Sequence, residues 1–192
     1  MIAQIMNKKM ISKRAEITSQ DDKGRYILKF SFPEKAEKFD LKKAECSSRY
    51  LAYNAKASAD EYFKLIKKNF NIKRLELERP KFEIFVSLCG LTCELYLKSF
   101  LYYLQSKDDI TYIKGHKIYS DLYNKLSQNS KEKIKMEINK KLPDESFEKE
   151  FSKLDTIFED YRYSYELNGF TLNTPFLLEL LKTLSKIDFS QL

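Results

Sequence analysis

Apolar positions run almost all the way round the stretch from Phe82 to Leu104, FEIFVSLCGLTCELYLKSFLYYL. A helix with no continuous polar face belongs in the middle of a packed structure. The length would also suit a membrane span, but Glu94 and Lys98 sit inside it, where hydrocarbon penalises both charges. They are spaced i,i+4 with the acid first, so in water the two side chains meet on one helical face. The stretch therefore reads as the central helix of a bundle, ending near Ser106, with Leu91 and Leu95 expected in the core.

Helical spacing continues on both sides. Leu51, Ala55, Ala59, Tyr62 and Ile66 recur within a run from Leu41 to Asn69, broadened by Tyr50, Phe63 and Phe70. A charged connection, Asn71 to Pro80, precedes the central helix. Beyond it, Ile118, Leu122 and Leu126 describe a short amphipathic helix, and Asn129 or Ser130 caps another that reaches Leu142. After Pro143 and Asp144, the positions Phe147, Phe151, Leu154, Phe158, Tyr161 and Tyr165 alternate spacings of four and three. They predict one long helix with a narrow packing seam, stopped by Asn168 and Gly169. Thr174 as cap and Pro175 at the first helical position open the last helix, which presents Phe176, Leu177, Leu180, Leu181, Leu184 and Ile187.

The first forty residues keep another rhythm. Arg25 to Phe32 alternates, with Tyr26, Leu28, Phe30 and Phe32 on one face, and Asp21, Asp22 and Gly24 form a turn before it. Met10 to Thr18 supplies a partner strand. Such a hairpin is marginal alone and needs a surface or another chain to lie on. The chain therefore divides into an N-terminal appendage, 1–40, and a helical body, 41–192.

Composition agrees with this division. Only 4 Gly and 4 Pro in 192 residues argue against a turn-rich sandwich, and 13 Tyr with 14 Phe can fill a sizeable core. The fold class is mainly α: a bundle of four to five helices with a small N-terminal β-hairpin. The formal charge of +7, from 35 basic and 28 acidic residues, favours an acidic partner, with nucleic acid first. A lysine-rich helix surface that only meets water is the plain alternative.

Three cysteines without framework spacing point to a reducing interior, and the short apolar run after Met1 does not make a signal peptide. A cytoplasmic protein with no membrane partner is expected. Cys89, Cys93 and His116 fall short of the four ligands of a structural zinc site. Neither metal nor cofactor is expected, and no phosphate loop or serine elbow is present.

Three segments carry a resemblance: CELYLKSFLYYL from Cys93, GHKIYSDLYNKL from Gly115, and FEDYRYSYE from Phe158. An acid with a lysine four positions later, then a Gly-His pair, then an aromatic-flanked arginine resembles the HEPN superfamily of prokaryotic toxin, antiphage and RNA-processing systems. The resemblance spans about Leu41 to Ile187. It implies a HEPN-like bundle that pairs as a homodimer, with RNA or a nucleotide as ligand and a partner protein from the same defence or toxin–antitoxin system. It places Arg162 in a cleft between two chains, flanked by Tyr163, Tyr165 and Glu166.

The family's ribonuclease pair needs a histidine a few residues after that arginine, and here Leu167, Asn168 and Gly169 stand there instead. None of them transfers protons near neutral pH. The expected role is therefore a dimeric binding or regulatory module in RNA-directed or phage-defence machinery. One alternative is a noncanonical, metal-independent ribonuclease using Arg162 with His116, the chain's one histidine, or with a tyrosine. Another is a purely structural protein-interaction bundle. Glu159 and Glu166 flank Arg162 by about one turn, which favours a structural ion pair there.

Overall fold

The computed structural model describes residues 14–20, 26–31, 47–70, 79–105, 112–157 and 172–192. It separates into two compact units, Met1–Ala44 and Glu45–Leu192. In the first, β1 (Arg14–Gln20) pairs antiparallel with β2 (Tyr26–Ser31). The register sets Ala15 opposite Phe30 and Ile17 opposite Leu28, with an irregularity between Ile17 and Ser19. Residues 21–25, where the turn is expected, lie outside the described residues.

The second unit is a mainly helical bundle. α1 (Ser47–Asn69) packs along α2 (Arg79–Leu104), the central helix. Ala52 and Ala59 on the buried side of α1 are small enough to let the two backbones approach, and Phe63 and Ile66 complete that face. α2 begins within the stretch expected to be a connection: Pro80 fits its first turn, where the missing N–H has no helical partner to lose. By length and composition Lys81–Leu104 could cross a membrane, yet 67% of its most apolar window is buried within the bundle, as in a core helix.

The inner face of α2 is Phe85, Val86, Cys89, Cys93, Tyr96, Leu97 and Phe100. Leu91 and Leu95, expected in the core, are only half-buried. An apolar surface on every side hides the helix's orientation, so spacing alone could not choose between these faces.

Beyond α2 the chain departs from the expected regular helices. Ile118–Leu122 is a single wide π turn and Tyr123–Lys125 a tight 3₁₀ turn, in place of one short amphipathic helix. Ile118, Leu122, Tyr123 and Leu126 are nevertheless all buried. α3 (Gln128–Asn139) is capped by Ser127, whose hydroxyl accepts from the Ser130 backbone N–H, and not by Asn129 or Ser130.

α4 covers only Phe147–Ser152 before the chain tightens into 3₁₀ geometry over Lys153–Thr156. The expected long seam helix is thus interrupted, although Phe147, Phe151 and Leu154 are buried. Its later positions, Phe158, Tyr161 and Tyr165, lie outside the described residues. α5 (Thr174–Lys186) is capped by Asn173, which accepts from the Phe176 N–H, one residue before the expected Thr174. Its face of Phe176, Leu177, Leu180, Leu181 and Leu184 is fully buried against α2 and α3.

Candidate functional site

The fold brings three of the sequence-predicted residues together. Glu94 lies on α2 with its side chain only 7% exposed. Its Oε1 accepts from the Lys98 Nζ at 2.6 Å, the i,i+4 pairing that the spacing predicts. His116 comes from the turn after α2, and its Nδ1 lies 3.1 Å and 3.2 Å from the two carboxylate oxygens. With Glu94 ionised, Nδ1–H is the donor. The tautomer selected by that bond carries its basic lone pair on Nε2. The Lys98 side chain is 16% exposed and that of His116 is 78% exposed, so the three run from the edge of the core to solvent.

Several contacts fix the turn that delivers His116. The Ile113 N–H donates to the Tyr102 hydroxyl on α2 at 3.3 Å. Gly115 has φ 108°, and a Cβ there would fall 2.6 Å from Oδ2 of Asp121. Only glycine holds that backbone without strain, which gives the Gly-His dipeptide a local physical reason. Just beyond, Ile118 anchors in the core. The Tyr119 N–H donates to Oδ1 of Asp155 at 2.6 Å, and the Ser120 N–H reaches the same carboxylate at 3.1 Å. Asp155 therefore caps the π turn from a distant part of the chain. Sequence reasoning missed this residue, and nothing in its local pattern could have found a partner 36 positions away.

The arrangement defines what the site can do. Lys98 is committed to Glu94, so an anion approaching the amine competes with a carboxylate already in place. The exposed imidazole is oriented by a fixed acceptor, as in sites that position a histidine for proton exchange. His116 does not cap a helix, since Lys117 occupies the cap position of the π turn. Cys89 and Cys93 are buried on the inner face of α2, and burial pushes both thiols up. They are packing residues. Among the described residues, no group of three His, Cys, Asp or Glu side chains could hold a metal ion.

A second polar junction ties α1 to α2. The hydroxyl of Tyr96 donates to Oδ1 of Asp60 at 2.7 Å, and Lys56 pairs with the same carboxylate at 3.2 Å. Burial, with that hydrogen bond, pushes the Tyr96 phenol well up, so it stays a neutral donor. Arg162, Tyr163, Tyr165 and Glu166 lie outside the described residues, as do Glu159, Leu167, Asn168 and Gly169.

Searches against family models, curated proteins and solved structures find no match to this chain.

Proposed function

We propose that this chain is a HEPN-like module acting as a homodimeric binding or regulatory component of RNA-directed or phage-defence machinery, without the standard Arg-His ribonuclease pair. The observation that carries the reading is the carboxylate of Glu94, bonded to both Lys98 and His116. Two of the three segments behind the resemblance thus meet in one polar joint. The joint speaks against turnover by Lys98, because its amine is already paired with a carboxylate. The thiols of Cys89 and Cys93 are deeply buried, so neither is placed as a nucleophile.

A second reading is favoured by one feature, the bond from Nδ1 of His116 to Glu94. It makes Nε2 the basic nitrogen of an exposed ring, which suits a general base in metal-independent RNA cleavage. One set of measurements decides: RNA retention and RNA turnover by highly purified wild type, His116→Ala, Glu94→Gln and Arg162→Ala. The binding reading expects salt-sensitive retention with no turnover above a mock preparation. Turnover in the wild type, lost in His116→Ala, replaces it with the second reading. Sedimentation equilibrium tests the homodimer, and a species of only 22.8 kDa at tens of micromolar would sink it.

A further inference from the structure

One described segment of the helical bundle is strongly basic. Residues 112–141 hold eight lysines against three acidic residues, a net charge of +5. The segment comprises the loop carrying His116, the π and 3₁₀ turns, α3 and the two residues after it. Among the described residues, two of its lysines are in ion pairs: Lys135 with Glu148, and Lys140 with Glu137. Lys114, Lys117, Lys125, Lys131, Lys133 and Lys141 are not, and all but Lys131 and Lys133 are exposed. Leaving so many like charges uncompensated in thirty residues raises the energy of the free protein, and an anionic partner relieves it.

We propose that residues 112–141 form the surface that holds the sugar–phosphate backbone of RNA, independently of base sequence. This rests on the RNA-binding reading above and gives it a location. Lysine supplies compact point charges on flexible stems, which suit backbone phosphates and read no base edges. Tyr112, 71% exposed at the start of the segment, adds a ring on which a base can stack. An anionic membrane fits less well: the apolar side of α3, Ile134 and Ile138, is buried in the bundle, leaving Met136 as its exposed apolar side chain. An acidic protein would need a larger apolar centre than Tyr112 and Met136 provide.

The test compares two triple variants of the full chain by fluorescence anisotropy with a labelled oligouridine. Lys117→Gln/Lys125→Gln/Lys141→Gln removes charge from the segment. Lys68→Gln/Lys149→Gln/Lys186→Gln removes as much from exposed positions elsewhere. The first should weaken binding at least about tenfold and flatten log K against log salt by about 2, at roughly 0.7 per phosphate contact on a single strand. The second should leave both nearly unchanged, and matching thermal melts exclude unfolding as the cause. Equal losses in the two variants would overturn the location while leaving RNA binding intact. No binding by wild type even at low salt would overturn the RNA-binding reading and this surface with it. Binding to phosphatidylserine vesicles but not to oligouridine, lost in the first variant, would assign the segment to a membrane instead.

Discussion

Nδ1 of His116 lies 3.1 Å from Oε1 of Glu94, joining an imidazole 78% exposed to a carboxylate 7% exposed. Twenty-two positions separate the two residues. The asymmetry in exposure sets what each substitution does. Glu94→Ala strands Lys98, itself only 16% exposed, beside the core. The expected loss is about 2–4 kcal/mol, near the range for breaking a buried pair and reduced by the water that reaches the amine. His116→Ala should cost under about 1 kcal/mol, since solvent can replace an exposed ring as a partner for Glu94. Urea unfolding of both variants checks the ordering. Equal losses would mean that the histidine, and not the lysine, supports the buried charge.

Gly115 makes a separate prediction about the same turn. Its φ of 108° lies where L side chains are strained, and an added Cβ would meet Oδ2, Cβ and Cγ of Asp121 at 2.6, 2.9 and 3.0 Å. Gly115→Ala should therefore destabilise by about 1–3 kcal/mol. Adding Asp121→Gly removes the clash but not the backbone strain, so the double variant should recover only part of the loss. Full recovery would show that the dihedral angle costs nothing there.

The contact between α3 and α4 makes stability depend on pH. Lys135 donates to Glu148 at 2.5 Å, and this hydrogen bond holds the Glu148 carboxyl below its usual value of 4.5. A carboxylate depressed in the folded state contributes stability above its unfolded value and loses it as pH falls through the folded one. The difference in stability between wild type and Lys135→Met should therefore be constant above about pH 5 and shrink below about pH 4.5. Urea midpoints measured across that interval test it. A difference that persists into acid would come from the lysine stem and not its charge.

The central helix and the Glu94–Lys98 pair were legible because each is written in local spacing. The mainly helical fold was legible from periodicity and from the scarcity of Gly and Pro. Orientation was less so: a helix apolar all round does not say whether Leu95 or Phe100 faces inward, and Phe100 does. The caps moved by one to three residues because neighbours carry equivalent chemistry, as with Ser127 beside Asn129 and Ser130, or Asn173 beside Thr174. The interrupted helix after Ser152 is a tertiary effect: the tighter turn keeps Leu154 in the core while Asp155 reaches Tyr119. The meeting of His116 with Glu94 spans 22 positions, which no local pattern encodes.

Asp155 is the residue through which the position of His116 can be disturbed without touching the polar joint itself. Its carboxylate accepts the Tyr119 N–H at 2.6 Å and the Ser120 N–H at 3.1 Å, three and four residues after the histidine. The opening N–H groups of a helical turn have no partner within that turn, so an outside acceptor stabilises them. Tyr119 is half-buried and Ser120 exposed, so water can replace the acceptor fully at Ser120 only. Asp155→Ala should cost about 1–2 kcal/mol, mainly through the Tyr119 amide, whereas Asp155→Asn keeps one acceptor and should cost less. Hydrogen exchange gives the sharper reading. Protection of the Tyr119 amide should fall by more than the global loss of stability explains, while Leu180 and Leu181 on α5 should track the global change alone. If Tyr119 exchanges no faster than those core amides predict, Asp155 does not anchor the turn.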